Sequence, residues 1–211
     1  ATSNLSCTIS RLRIIKLLGR LINIKDSRKG LLQYLKNKLK EMSSMHDKSI
    51  AGVITDRINA EILGARQQLH DTVEGVFEDI FNAVSNYVID KGSQKKESRE
   101  EETKLRITAN LISTDLWQGV IEPQIKALCL DIHKFTSILK ALLDDIGGLS
   151  KAAQDILSSV LVDIVSCKMR LTLVANDLAS FIAEDERTCK WMEIKRHSRG
   201  QGIRLCNAPL S

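Results

Sequence analysis

The sequence predicts an all-α protein: an antiparallel helical bundle of five to seven amphipathic helices, stapled by disulfides. Three observations lead to this prediction. The chain of 211 residues contains only two prolines, Pro123 and Pro209, so little in it interrupts a helix. Aromatic residues make up only 4%, so the core has to be built from aliphatic side chains. Apolar residues recur at steps of three and four over most of the chain, without a convincing strand pattern.

The first group of helices is predicted within residues 1–92. Apolar residues at helical spacing predict a basic helix over 8–24 and a second helix over 27–43. The longest helical pattern covers 48–91. If it is unbroken, this helix is about 66 Å long, because an α-helix rises 1.5 Å per residue.

Two features inside the long pattern carry further expectations. Asp71 and Glu74 have the spacing of a capping box, so we expect a bend or a restart there. Gly52, Gly64 and Gly75 lie within the helical pattern, and we expect them to mark close helix packing rather than a loop that binds phosphate.

The remainder of the chain is predicted in three parts. Residues 93–104 form a charged linker, and residues 105–186 form a C-terminal helical hairpin that turns at Gly147 and Gly148. Pro123 either lies in the first turn of a fresh helix or kinks a continuing one. Residues 187–211 form a basic tail loop. All four parts together are expected to fold as one compact domain.

The cysteines predict where the disulfides lie. The chain has five of them, none in a Cys-x-x-Cys spacing: Cys7, Cys129, Cys167, Cys189 and Cys206. Cys129 and Cys167 each lie 19 residues from the turn of the hairpin and on its apolar stripes, which predicts one disulfide between the two helices. Cys189 and Cys206 are predicted to pair with each other. Cys7 is then left free, links two chains, or displaces one of that pair.

The predicted disulfides and the start of the chain favour a secreted, extracellular protein. The sequence begins at Ala1 without a methionine, and Asn4-Leu5-Ser6 is an acceptor triplet for N-glycosylation. No run of apolar residues is long enough for a membrane span.

The charge is distributed unevenly along a chain whose net charge is +5. Residues 1–40 contain ten Lys or Arg against one acid, and residues 187–211 contain six against one, so the segment between them is acidic. The tail residues form the predicted anion-binding patch: Arg187, Lys190, Lys195, Arg196, Arg199 and Arg204. Trp191 lies within this patch and is the predicted partner-binding residue. The competing interpretation is that the basic tail packs over the acidic middle of the same molecule.

The sequence shows no constellation of catalytic or metal-binding residues. The four histidines form no pair at the spacing of metal ligands, and no nucleophile or phosphate-binding motif is present. We therefore expect a protein that is not an enzyme and that has no cofactor and no metal.

Two functions from different classes fit these observations. The first is a secreted helical binding protein, cytokine-like or a host-modulating effector, that binds an extracellular protein or a sulfated glycosaminoglycan; if it is secreted, no nucleic acid is expected as a partner. The second is an amphipathic lipid-binding or membrane-active protein. Its long apolar stripes would enclose a fatty ligand, or the basic segment 8–40 would lie on an anionic membrane.

Overall fold

A computed structural model describes residues 6–23, 26, 28–91, 101–197 and 200–210, and only the backbone of residues 91, 101, 196, 197, 200 and 201. Helices dominate the fold, as predicted. A four-stranded antiparallel sheet accompanies them, and none of the five cysteines is paired. The prediction of an all-α, disulfide-stapled bundle is therefore wrong.

The α-helices are α1 (Arg11–Leu21), α2 (Leu31–Leu39), α3 (Met45–Arg57), α4 (Leu63–Lys91), α5 (Ala109–Ile112), α6 (Glu122–Gly147) and α7 (Lys151–Ile182). A π-helical turn, Ile58–Ile62, joins α3 to α4, and a second, Leu116–Ile121, leads into α6. Residues 48–91 are thus helical throughout, as predicted. The helix passes through Asp71 without a restart, and its irregular turn lies at 58–62 instead.

The ends of α6 and α7 follow the local signals in the sequence. Pro123 is the second residue of α6, but the π-helical turn Leu116–Ile121 runs directly into this helix, so the proline lies within a continuing helical segment and not at a fresh helix start. Gly147 is the last residue of α6. Ser150 precedes α7, and its hydroxyl accepts a hydrogen bond from the Ala153 N–H at 3.3 Å.

The strands are β1 (Cys7–Ser10), β2 (Glu101–Arg106), β3 (Thr188–His197) and β4 (Gly200–Pro209), and their order in the sheet is β1-β4-β3-β2. The predicted basic tail loop is thus a β-hairpin, in which Cys189 lies opposite Ala208 and Trp191 lies opposite Cys206. The end of the predicted charged linker is a strand that pairs with β3.

One face of this sheet is apolar and buried. Successive side chains of a strand point to opposite faces, and residues directly opposite on neighbouring strands share a face. One face therefore carries Ile9 of β1, Met192 and Ile194 of β3, and Ile203 and Leu205 of β4, all of which are buried. The other face carries mostly polar and charged side chains and is called the polar face below.

The chain divides into two compact units. The sheet unit comprises Ala1–Arg13, Thr72–Leu130 and Val174–Ser211, and it contains all four strands. The helical unit comprises Ile14–Asp71 and Asp131–Leu173. Each unit has its own buried apolar side chains.

In the helical unit, a buried carboxylate joins the start of α3 to the start of α7. Asp47 accepts hydrogen bonds from the Ser150 N–H (2.8 Å), the Ser150 hydroxyl (2.8 Å) and the Ser44 hydroxyl (2.7 Å). These bonds favour the ionised carboxylate, so they hold the pKa of Asp47 below its usual range, although burial opposes the shift.

Replacing Asp47 by asparagine is expected to lower the thermal midpoint at pH 7. Because the pKa of Asp47 is depressed in the folded state, its stabilisation is present above the unfolded pKa and is lost as the pH falls through the folded value. The difference between the variant and the parent should therefore narrow below about pH 4. Thermal melts between pH 7 and pH 2 measure this, with Asp56→Asn, an exposed position on α3, as the control. If the difference in thermal midpoint between the variant and the parent did not change with pH, this would contradict the depressed pKa of Asp47.

The expected role of the helical glycines is wrong. A Cβ atom added at Gly52, Gly64 or Gly75 meets nothing within 4 Å, so these glycines do not permit a close approach of helices. Gly30 is different, because its φ is 115° and an added Cβ would lie 2.7 Å from the Leu21 carbonyl oxygen.

Gly52→Ala and Gly64→Ala are each expected to stabilise the protein by about 0.5–1 kcal/mol. Alanine has the higher helix propensity, and both positions are exposed. Urea denaturation followed by circular dichroism measures the change. Gly30→Ala is the matched control and should destabilise the protein. A loss of stability at Gly52 or Gly64 would contradict this prediction.

Candidate anion-binding face of the sheet

The polar face concentrates cations around one tryptophan. By strand alternation it carries Lys104 and Arg106 of β2, Trp191 and Lys195 of β3, and Arg204 of β4. Neighbouring strands lie about 4.8 Å apart, and alternate residues of one strand about 7 Å apart. The charges therefore form a grid with steps of about 5 Å across the strands and about 7 Å along them.

Glu193 organises the centre of this face. Its carboxylate accepts a hydrogen bond from Trp191 Nε1 at 3.0 Å and forms ion pairs with Lys104 (3.4 Å) and Arg204 (3.7 Å). The bond from Trp191 and the two cations hold the pKa of Glu193 below its usual range, although burial opposes them. Glu193 therefore stays ionised at neutral pH and holds the three surrounding side chains in place.

The rest of the face has a second carboxylate and a further cation. Lys195 Nζ lies 3.3 Å from Glu102 Oε2, across the pairing of β2 and β3. Arg106 is exposed and lies opposite Trp191 in the register. Four cations thus face two carboxylates, so the polar face has a positive balance.

The predicted anion-binding residues are divided by the sheet. Lys195 and Arg204 lie on the polar face, and Arg187 is exposed just before β3. Arg196 belongs to β3, but its side chain is not among those described, and Arg199 lies outside the described residues. The predicted glycosylation residue Asn4 also lies outside them. Trp191 is half-buried on the polar face.

Lys190 serves the fold instead. It is buried, and its ammonium group donates a hydrogen bond to the carbonyl of Ala183, just beyond the end of α7. Burial lowers the pKa of Lys190, and the charge of Asp185 opposes that shift. A cation at this position satisfies a carbonyl at the negative end of the helix dipole, so Lys190 is unavailable to a partner.

Sequence reasoning missed the contribution of β2. Lys104 and Arg106 were assigned to a linker and to a helix start, although Glu102, Lys104 and Arg106 alternate with Thr103 and Leu105. That alternation is the signal of a strand, but five residues of it in a charged segment are too few to outweigh helix propensity.

The predicted disulfide between Cys129 and Cys167 is absent. Cys129 Sγ lies 3.5 Å from the carbonyl oxygen of Ala175, and Cys167 Sγ lies 3.9 Å from that of Leu17. Ala175 is eight residues beyond Cys167, a rise of about 12 Å along α7. Equal distances of 19 residues from the turn therefore do not bring Cys129 opposite Cys167.

The predicted disulfide between Cys189 and Cys206 is also absent. The register places the two residues on diagonal positions of neighbouring strands, since Cys206 lies opposite Trp191. Diagonal neighbours stand about 7–8 Å apart, whereas a disulfide needs Cα atoms within about 4.4–6.8 Å. Cys7 is unpaired and half-buried. With both pairings absent, the cysteines no longer favour an extracellular location.

Thiol labelling should show five free cysteines. Cys167 and Cys206 are buried, and burial also raises the pKa of both thiols, so iodoacetamide should modify them slowest in the native protein. Half-buried Cys189 should react earlier. Intact mass spectrometry counts the labels over time, and a denatured sample without reductant should take all five. Fewer labels in that sample would reveal a disulfide and contradict the structure.

The fold defines the class of this protein: helices combined with a short antiparallel sheet, one face of which is polar and carries more cations than carboxylates. Comparison with protein-family models, with curated proteins and with solved structures finds no match to this chain. Within the described ranges, no group of three or more His, Cys, Asp or Glu residues is placed to hold a metal ion. None of the described helices is long and apolar enough to cross a membrane.

Proposed function

We propose that this chain is a non-enzymatic binding protein that holds a sulfated glycosaminoglycan against the polar face of its sheet. The observation that carries the proposal is the array of Lys104, Arg106, Lys195 and Arg204 around a half-buried tryptophan. The array supports an anionic polymer as the ligand, and a sulfated glycosaminoglycan further requires that the protein lies outside the cell.

The chemistry of the face matches a sulfated polysaccharide. Cations on three adjacent strands can meet several sulfates of one chain together, and a flat aromatic ring offers contact area to a sugar. The sheet fixes the backbone beneath these side chains, so little backbone entropy is lost on binding. Glu193 limits the net positive charge of the face, so binding should depend on where the sulfates lie along the polysaccharide. Because the contacts are ion pairs at an exposed surface, binding should weaken as the salt concentration rises.

The test is binding to heparin, measured by calorimetry at several salt concentrations. Arg106→Gln, Lys195→Gln and Arg204→Gln, combined in one variant, should weaken binding and flatten its salt dependence. The matched control removes three exposed lysines of α6 instead: Lys126→Gln, Lys134→Gln and Lys140→Gln. Glu193→Gln should strengthen binding, because it removes a competing carboxylate and leaves an acceptor for Trp191.

Three results would count against the proposal. The control variant could weaken binding as much as the sheet variant, which would mean that only net charge matters. Heparin could fail to bind at moderate salt. A single-stranded RNA of similar charge could bind more tightly at equal salt, which would assign the face to a nucleic acid.

A second candidate function, binding to a membrane surface, is favoured by an exposed apolar stripe on α7. Val162, Val165, Met169 and Leu173 lie on one side of this helix with exposed fractions of 69%, 38%, 59% and 54%. The opposite side of α7 is the buried one. An apolar stripe on a helix surface can enter the boundary between lipid headgroups and acyl chains.

Liposome co-sedimentation tests this second function. With vesicles that contain one-fifth anionic lipid, Val162→Gln combined with Met169→Gln should abolish co-sedimentation. Met45→Gln with Val53→Gln is the matched control, because both residues are also exposed apolar residues of the helical unit. If the parent protein does not sediment with vesicles, the stripe has another role.

A further inference from the structure

An arginine interrupts the buried stripe of the helical unit. The apolar side chains of the helix from α3 to α4 include Ile54, Ile58, Ile62 and Leu69, all of them buried. The one long step in this series, from Ile62 to Leu69, contains Arg66, which is 3% exposed. A charged side chain therefore occupies a position of the core.

The π-helical turn at 58–62 explains how this residue comes to face inward. Successive steps of four residues drift around an α-helix, because one turn takes 3.6 residues. A π turn is closed by hydrogen bonds between residues five apart and takes more residues per turn, so it returns residue 66 to the buried side. Such turns inside α-helices frequently occur at functional sites.

The guanidinium of Arg66 has one edge without a partner. Its Nη1 donates to Gln67 Oε1 at 3.3 Å, whereas Nε and Nη2 have no hydrogen-bond partner among the described residues. Nε and Nη2 lie side by side on the planar group, and their N–H bonds point in the same direction. This is the edge on which arginine binds a carboxylate through two parallel hydrogen bonds.

Such an arrangement is costly unless an anion completes it. Burial lowers the pKa of Arg66, and only the more distant charge of Asp71 opposes the shift. Even so, an arginine side chain keeps its proton in proteins, so the positive charge remains inside the unit. Unpaired buried charges and unsatisfied donors both destabilise a fold.

The buried residues at the level of Arg66 are mostly apolar. Ile62 and Leu69 lie one turn before and after it on the same buried face. Arg57, nine residues earlier, contacts Asp145 on α6 at 2.5 Å. His46 contacts Gly148 and Arg57 contacts Asp145, so this stretch of α6 runs antiparallel. The same rise of nine residues from Asp145 leads to Thr136, which is buried and has the buried residues Phe135 and Leu139 beside it on α6.

We propose that Arg66 anchors the carboxylate of an aliphatic acid within the helical unit. Two donors on one edge and one positive charge match the two oxygens and the single charge of a carboxylate, whereas a phosphate dianion would keep an uncompensated charge. The neighbouring side chains suit a hydrocarbon chain. This inference involves other residues than the polar face and stands independently of the proposed function.

The experiment compares three ligands on the full, delipidated protein by isothermal titration calorimetry. Dodecanoate has the carboxylate, dodecanol has the same chain without charge, and dodecyl phosphate has a different anion. Dodecanoate should bind at one site per chain. Dodecanol should bind roughly ten- to hundredfold more weakly, because it lacks a charged hydrogen-bonded pair.

Variants at Arg66 test whether the preference for dodecanoate over dodecanol comes from the guanidinium edge. Arg66→Met keeps the volume but removes the charge, so it should bind dodecanoate no better than dodecanol. Arg66→Lys keeps the charge without the two-donor edge and should be intermediate. Arg170→Met, an exposed arginine of the same unit, is the control and should behave like the parent. In NMR spectra, dodecanoate but not dodecanol should shift the Arg66 Nε–H resonance.

Several outcomes would overturn the inference. The parent protein could show no saturable binding of dodecanoate, or it could bind dodecanol equally well. Arg66→Met could retain the preference for the carboxylate. Tighter binding of dodecyl phosphate would show that a different anion is preferred. None of these measurements involves heparin, so they leave the proposal for the polar face untouched.

Discussion

Replacing Trp117 by alanine is expected to lower the free energy of unfolding by about 3–5 kcal/mol, as is typical when a large buried aromatic is truncated. Trp117 is 2% exposed and lies in the π-helical turn that leads into α6. Its ring lies 6.1 Å, centroid to centroid, from that of Phe181 at an interplanar angle of 36°. The substitution removes this aromatic pair and leaves a cavity in the sheet unit.

Urea denaturation followed by circular dichroism measures this effect. Trp117→Phe keeps an aromatic ring and should recover most of the stability. Trp191→Ala should cost less than Trp117→Ala, because Trp191 is only half-buried. If both alanine variants lost similar amounts of stability, the core of the sheet unit would lie elsewhere.

Replacing Arg66 by methionine is expected to raise the free energy of unfolding of the ligand-free protein by about 1–4 kcal/mol, the gain found in cases where well-packed apolar residues replace buried ion pairs. Methionine fills a similar volume, suits the neighbouring Ile62 and Leu69, and has no donors to satisfy. Most substitutions of buried residues destabilise a protein, so a gain here would be diagnostic.

Denaturation of the delipidated protein, with and without dodecanoate, separates the effect of Arg66→Met on the stability of the free protein from its effect on dodecanoate binding. The parent protein should gain stability as dodecanoate is added, because the ligand binds only the folded state. Arg66→Met should start from a higher stability and gain little. Arg66→Lys keeps a buried charge and should not be stabilised. A destabilised Arg66→Met would show that the guanidinium already has its partners within the protein.

The positions of the helices could be predicted from the sequence because the signals are local. Ser150 caps α7 within one turn of where it stands, and a stripe of apolar residues keeps its helical period whatever it packs against. The same local reasoning predicts a basic cluster around Trp191 and Lys195, and both residues lie on the polar face of the sheet.

The sheet could not be predicted in the same way, because strand pairing depends on residues distant in the sequence. Cys7 lies opposite Asn207 at the far end of the chain, and Arg106 lies opposite Trp191. Met192 and Ile194 do alternate with charged residues, but a short alternating run becomes a strand only when a neighbour supplies its hydrogen bonds and buries one face.

The sequence by itself determined that this protein is mainly helical, where its long helices run, and that both ends of the chain are basic, with one group of cations near the C-terminus. Only the tertiary structure decided that those cations lie on a sheet with Lys104 and Arg106, that the cysteines do not meet, and that Arg66 is buried. The reason is physical: propensity and periodicity act over a few residues, whereas burial, strand partners and thiol distances are set by the packing of segments far apart in the chain.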